Sequence, residues 1–151
     1  MASLGDYFPA DKVREHVIKQ LTPGCVVRIE VVFPEITKPK YLVLVADCDP
    51  DYLTFVVNSE THPFITTRPE LAKCQVSIGA VEHTFLTRDS QIACHQVLTL
   101  KRSEVIKVLA ADVSGIKGRV SQSVQEQILA AVKFAVTLSA DEKNAIIQAL
   151  S

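Results

Sequence analysis

Two lysines stand directly before the most hydrophobic segment of the chain. Lys38 and Lys40 occur in the stretch "ITKPKYLVLVADCD", where the run from Tyr41 to Ala46 follows them. An ammonium group can neutralise a phosphate or a carboxylate, so the pair predicts a local anion-binding site. The alternative is a solvated loop whose charges keep the protein soluble.

A hydroxyl and an imidazole follow the next strand-like segment, in the stretch "NSETHPF". His62 is a candidate general acid or base, because an imidazole titrates near neutral pH and lies three residues after Ser59. Both residues also have structural interpretations. Ser59 would satisfy a turn at the end of a strand, and His62 would be a loop residue restrained by Pro63.

Length and charge limit the kinds of protein that this chain can be. The 151 residues, about half of them hydrophobic, predict a single domain over residues 1–151. A net charge of −1 argues against a protein that coats nucleic acid through bulk charge, so any anion binding must be local. The longest apolar run is too short to cross a bilayer, and the N-terminal residues lack an export signal. We therefore expect a cytoplasmic protein without membrane contact.

Cysteines and acidic residues give no pattern typical of a metal or cofactor site. The cysteines at positions 25, 48, 74 and 94 form no close pair, which predicts separate core thiols and no metal or other cofactor. Cys94 and His95 are neighbours on a predicted strand, so their side chains are expected to point to opposite faces. The acidic stretch "ADCDPDY" predicts a polar turn, because it lacks the glycine and distal glutamate of a calcium loop.

Hydrophobic periodicity divides the chain into helices at its ends and strands in the middle. Helices are predicted over about 10–21, 121–136 and 139–150, with capping boxes at Ser123 with Glu126 and at Ser139 with Glu142. The strands are predicted at Cys25 to Phe33, Tyr41 to Ala46, Leu53 to Ser59 and Ile92 to Leu100, with weaker signals in "CQVSI" and "HTFL".

The spacing of these strands predicts the fold class. Five or six short strands joined by turns, without helical crossovers, favour an antiparallel barrel or a strongly curled sheet. We therefore predict an α+β, mainly β, protein. Its curled antiparallel barrel would cover about residues 21–102, with one N-terminal helix and two C-terminal helices.

Three segments resemble a known family. "LTPGCVVRIEVVF", "KPKYLVLV" and "DSQIACHQVLTLKR" are similar, in this order, to segments of the PemK/MazF-like toxins. Members of that family are mostly sequence-specific mRNA endonucleases of toxin–antitoxin systems. The resemblance implies an SH3-like barrel of the CcdB/PemK type, a homodimer, and single-stranded RNA in a cleft lined by the loop before the second strand.

The resemblance also implies roles for individual residues. Lys38 and Lys40 would stand at the rim of a phosphate-binding cleft, Ser59 would supply the hydroxyl at the end of the following strand, and His62 could reach the same cleft. Cleavage would need no metal, because the 2′-hydroxyl of RNA attacks its own phosphate. Where the family tends to have Arg-Pro, this chain has Lys38-Pro39.

Two functions follow from this comparison. The first is an endoribonuclease that acts without metal and is restrained by an antitoxin protein laid across its cleft. The second is a catalytically inactive SH3-like barrel that binds a protein or a nucleic acid.

Overall fold

The computed structural model describes residues 9–32 and 37–151, so Phe33, the predicted end of the first strand, lies outside the described residues. The strands are β1 (Cys25–Val32), β2 (Thr37–Cys48), β3 (Asp51–Asn58), β4 (Gln75–Ile78), β5 (Ser90–Ala93), β6 (Leu98–Lys101) and β7 (Ile116–Arg119). The helices are α1 (Ala10–Gln20), α2 (Pro63–Thr66), α3 (Pro69–Ala72), α4 (Arg102–Ala111), α5 (Gln122–Phe134) and α6 (Ala140–Leu150). A 3₁₀ turn covers Val113–Gly115.

The strands form one antiparallel sheet that curls into a half-barrel. Its order is β4-β5-β3-β2-β1-β7. On the same edge of β3, β6 pairs with the beginning of the strand and β5 with its end. Register shifts between Leu44 and Ala46 and between Val26 and Val27 mark irregularities of the kind that bend and twist strands. The predicted α+β class, the curled antiparallel sheet, the N-terminal helix and the two C-terminal helices are confirmed.

The central strand β2 is buried on both faces, as its continuous apolar sequence predicts. Val43 and Val45 pack into one core, which helices α5 and α6 cover. Leu42 and Leu44 point the other way, into a second core under helices α1 and α4. The sheet therefore lies between two helical layers, and its central strand is fixed from both sides.

Three sequence predictions about strands need correction. The segment Ile92 to Leu100 is not one strand, because the chain leaves the sheet between β5 and β6. The segment "HTFL", residues 83–86, forms turns rather than a strand. Strand β7, with only four residues and a glycine among them, was not predicted, since so short a segment carries almost no periodic signal.

Helix α5 begins at Gln122, close to the predicted start at about residue 121, but its capping residue differs from the prediction. Its N-cap is Ser121, whose side chain accepts a hydrogen bond from the backbone N–H of Val124, and not Ser123. The backbone N–H of Ser121 donates to His83 Nε2 at 3.0 Å, and this bond fixes the point where the chain turns into the helix. At helix α6 the predicted capping box of Ser139 and Glu142 is confirmed.

This difference between two nearby serines gives a stability test. Ser121→Ala is expected to lower the free energy of unfolding by about 1 kcal/mol, because it removes the acceptor for a helix N-terminal N–H. Ser123→Ala is the matched control and is expected to change stability by less than about 0.5 kcal/mol, as for surface substitutions in general. Urea unfolding of both variants measures the difference, and a larger loss for Ser123→Ala would restore the original prediction.

Cysteine placement agrees with the sequence at three of the four positions. Cys25, Cys74 and Cys94 are buried, whereas Cys48 is exposed at the end of β2, so the prediction of a core thiol was wrong there. Burial raises the pKa of the Cys94 thiol, which keeps it protonated near neutral pH. Across residues 9–32 and 37–151, no helix is long and apolar enough to cross a lipid bilayer.

Candidate functional site

A small polar cavity lies where the start of β2, the end of β3 and the segment before β5 meet. Its volume is about 290 Å³. The register of the sheet explains the meeting, since Tyr41 of β2 pairs with Val57 of β3 and Asn58 of β3 pairs with Gln91 of β5. The lining residues are Pro39, Lys40, Tyr41, Val57, Ser59, Leu86, Thr87, Arg88 and Ser90. We call this the first cavity.

Two of the predicted site residues line the first cavity. Lys40 is half-buried, and its Nζ donates a hydrogen bond to Asn58 Oδ1 at 3.3 Å, which orients the ammonium group. Ser59 is exposed and contributes a hydroxyl. Lys40 and Ser59 thus line one cavity although they are nineteen positions apart in sequence, and the Lys40 ammonium group is held on Asn58.

Burial lowers the pKa of Lys40, and the nearby positive charge of Lys38 lowers that pKa further. Lys38 itself is exposed and is not among the residues that line the first cavity. A half-buried ammonium group beside a second cation gains most from an anionic ligand, because the ligand offsets both the lost hydration and the repulsion. This electrostatic arrangement favours an anion near Lys40.

Arg88 is a charged residue of the first cavity that the sequence did not predict. It lies two residues before Ser90, the first residue of β5. Because β5 pairs with the end of β3, this arginine comes to the same cavity as Ser59. A guanidinium group offers a planar pair of donors that matches two phosphate oxygens, which an ammonium group cannot do.

The segment that carries Arg88 is held against the sheet and against helix α5. The Tyr41 hydroxyl donates to the carbonyl oxygen of Phe85 at 3.1 Å. His83 is buried, its Nδ1 lies 3.0 Å from the carbonyl oxygen of Gly79, and its Nε2 accepts from the N–H of Ser121. These contacts restrain the wall of the first cavity before any ligand binds, which reduces the ordering cost of binding.

His62 is placed differently from the other predicted site residues. It is exposed and forms the N-cap of helix α2, where its Nδ1 accepts a hydrogen bond from the N–H of Phe64 at 3.0 Å. His62 does not line the first cavity. The structural interpretation of this residue is therefore supported, and its role as an acid or base stays a prediction.

No family model and no curated protein matches this chain. The assignment of function therefore depends on the geometry of the first cavity and its surroundings.

Other residues considered for chemistry are placed apart from the first cavity. Cys94 is buried in the core, whereas His95 is half-buried and lines two further depressions. Both residues lie in the turn after β5, so the prediction that they are neighbours on a strand was wrong. In the part of the chain that the structure describes, no group of three or more His, Cys, Asp or Glu residues could hold a metal ion. Of the predicted polar turn, only Asp49 and Pro50 lie between β2 and β3; Asp47 is in β2, and its Oδ2 lies 3.4 Å from Arg102 Nε.

Proposed function

We propose that this protein is a metal-independent endoribonuclease that cleaves single-stranded RNA, as the toxin of a toxin–antitoxin-type system. The observation that supports this function is the convergence of Lys40, Ser59 and Arg88 on the first cavity. A phosphodiester is an anion with two non-bridging oxygens, and two cations with a hydroxyl between strand ends suit it. The resemblance to the PemK/MazF-like toxins points to the same class of substrate.

The chemistry needs few groups. The ribose 2′-hydroxyl gives its proton to a solvent water and its oxygen attacks the adjacent phosphorus. The bond to the 5′-oxygen breaks as that oxygen takes up a proton, and the products are a 2′,3′-cyclic phosphate and a free 5′-hydroxyl. Arg88 and Lys40 stabilise the negative charge that develops on the non-bridging oxygens. The Ser59 hydroxyl donates a hydrogen bond to the same phosphate. Arg88 thus takes the place that the family gives to an arginine before the hydrophobic strand.

Proton transfer has two candidate groups. The lowered pKa of Lys40 makes its ammonium group a better proton donor to the leaving 5′-oxygen than an ordinary lysine. His62 is the second candidate, because its Nε2 is not used in the cap of helix α2. Lys38, exposed beside Lys40, would attract the RNA backbone to the rim of the first cavity.

Purified protein is expected to cut a long single-stranded RNA in the presence of a chelator, leaving cyclic phosphate and 5′-hydroxyl ends. A DNA strand of the same sequence is the matched control, and it should stay intact because it lacks the attacking 2′-hydroxyl. Gel analysis and end-group chemistry measure both outcomes. An RNA pool of diverse sequence that stays intact at every protein concentration would rule out the nuclease.

A binding protein without catalytic activity is the second candidate, and one observation favours it. The nine residues that line the first cavity include neither a carboxylate nor an imidazole, the groups that most often accept a proton in enzymes. If the protein binds RNA with a salt-dependent affinity but leaves it intact, the first cavity holds the phosphate backbone without cleaving it.

The resemblance also suggests partners and a compartment. The protein would act in the cytoplasm as a homodimer, and an antitoxin protein would restrain it by covering the first cavity. Light scattering at micromolar concentration tests the dimer, and a monomer mass would contradict it.

A further inference from the structure

A second cavity, of about 240 Å³, lies on the opposite face of the sheet from the first one. Asn58 lines the second cavity and its neighbour Ser59 lines the first, because side chains alternate along a strand. Lys40 lines both cavities. Its hydrogen bond to Asn58 Oδ1, 3.3 Å long, holds the ammonium group on the side of the second cavity.

The walls of the second cavity are largely apolar. They are formed by Val56, Ile65, Ala93, Val97 and Leu98. The volume of about 240 Å³ is smaller than that of pockets for drug-sized molecules, so the cavity suits a small ligand. The apolar part of such a ligand would be removed from water against these side chains.

Four polar side chains complete the lining, those of Lys40, Asn58, His95 and Gln96. Lys40 Nζ can only donate, so Asn58 accepts this bond through Oδ1, and its Nδ2 group remains a donor for a ligand. Gln96 is exposed, and its amide can donate a hydrogen bond to a ligand or accept one.

The tautomer of His95 follows from its neighbours. Gln75 Nε2 donates to the carbonyl oxygen of Leu71 at 3.1 Å, and this bond identifies the nitrogen of the Gln75 amide. The same Nε2 lies 2.9 Å from His95 Nδ1, so Nδ1 accepts and the ring proton is on Nε2. Burial lowers the pKa of His95, which favours this neutral form. His95 is therefore a further uncharged donor.

The second cavity has a positive charge that its own lining does not balance. Among the nine described residues that line it, none carries a carboxylate, and Lys40 supplies the cation. Burial lowers the pKa of Lys40, and the charge of Lys38 lowers that pKa further, so an anion beside the ammonium group offsets both the lost hydration and the repulsion. A single cation suits an anion with a single charge.

We propose that the second cavity binds a small organic monocarboxylate. The carboxylate lies on Lys40, Asn58 and His95, and the apolar body of the ligand lies against the aliphatic walls. A carboxylate has two acceptor oxygens and no donor, which matches these three groups, whereas a phosphate monoester would bring a second charge without a second cation.

This binding site goes beyond the proposed function and does not depend on it. Its effect on RNA cleavage does rest on the proposed function, because that function assigns the phosphate to the first cavity. A carboxylate in the second cavity would keep the Lys40 ammonium group on the side of Asn58 and away from that phosphate. The ligand would therefore slow cleavage by competing for one cation.

Titration of the isotope-labelled protein with benzoate, followed by two-dimensional NMR, tests the site. Benzoate should give saturable shifts centred on Asn58 and His95, with a dissociation constant of about 1 mM, as for a ligand of this size. Benzamide is the matched control, because it has the same ring without the charge, and it should give no saturable shift. Equal binding of benzoate and benzamide, or no saturable binding of benzoate, would overturn the proposal.

Two variants test the position of the ligand. His95→Phe keeps a flat ring without the N–H donor and should weaken benzoate binding about tenfold. Ile65→Trp fills the cavity from its apolar wall and should abolish binding while Lys40 stays in place. His16→Phe, at an exposed histidine on helix α1, is the matched control and should bind benzoate like the wild type. If thermal melts show that the first two variants fold and both bind benzoate like the wild type, the carboxylate does not lie in the second cavity.

A cleavage assay separates failure of this site from failure of the nuclease. Benzoate should slow RNA cleavage by the wild type but not by Ile65→Trp, and benzamide should slow neither. If benzoate binds and cleavage continues at the same rate, the competition for Lys40 is wrong and the carboxylate site stands. If the protein does not cleave RNA at all, the NMR titration still decides whether the site exists.

Discussion

Replacing Arg88 by alanine is expected to slow RNA cleavage by about ten- to a thousandfold, by comparison with the removal of one transition-state donor in other enzymes. Lys40→Ala should have an effect of the same size, because both cations line the first cavity. Single-turnover cleavage of one RNA measures the chemical step. Binding should be measured in parallel, since the loss of one phosphate contact also reduces the salt dependence by about one unit of slope.

Two exposed cations on other surfaces are the controls for these variants. Arg14 lies on helix α1 and Lys107 on helix α4, the two helices that cover the second core, and both side chains are exposed. Alanine at either position should leave the cleavage rate within about threefold of the wild type. If Arg88→Ala cleaves as fast as Arg14→Ala, the first cavity is not the site of cleavage.

The lowered pKa of Lys40 adds a pH dependence to the same experiment. Lys40 loses its positive charge at a lower pH than an ordinary lysine, so binding of the phosphate should weaken earlier on the alkaline side. Lys40→Arg keeps its charge throughout that range and should extend RNA binding to higher pH. The same alkaline limit in both proteins would assign the pH dependence to another group.

Phe55→Ala is expected to have the largest effect on stability, a loss of about 3–5 kcal/mol in the free energy of unfolding. Phe55 is fully buried in the middle of β3, within the core that helices α5 and α6 cover. Its removal leaves a cavity that the neighbouring strands can fill only in part. Urea unfolding, followed by circular dichroism, measures the loss.

Phe64→Ala is the matched control, because the Phe64 ring is 53% exposed and stacks with the Arg68 guanidinium, whose Cζ lies 3.8 Å from the ring centroid. This substitution should cost about 1 kcal/mol or less, since an exposed ring loses little burial. Equal losses for Phe55→Ala and Phe64→Ala would contradict the assignment of Phe55 to the core.

The sequence predicts the sheet well where burial dictates the pattern. The run from Tyr41 to Ala46 is apolar because both faces of β2 are covered. The alternation in β1 separates the buried Val27 and Ile29 from the exposed Arg28 and Glu30. Where contacts between residues distant in sequence determine the end of an element, the local sequence is less informative. The N-cap of helix α5 is Ser121, and His83, distant in sequence, accepts a hydrogen bond from its backbone N–H. No local pattern around Ser123 carries that information.

The candidate site shows the same limit. Lys40 and Ser59 could be predicted because each lies at the end of a recognisable strand, and antiparallel pairing brings such ends together. Arg88 could not be predicted as a site residue, because its position depends on the pairing of the short strand β5 with β3. His62 follows Ser59 closely in sequence, but the turn of helix α2 uses its Nδ1 as a cap.

A crystal structure of the protein with a 2′-fluoro oligonucleotide tests the central claim most directly, because the missing 2′-hydroxyl prevents cleavage. We predict a backbone phosphate in the first cavity, within hydrogen-bond distance of the Arg88 guanidinium and the Lys40 ammonium and beside the Ser59 hydroxyl. An oligonucleotide bound at another surface, with the first cavity empty, would contradict the proposed site.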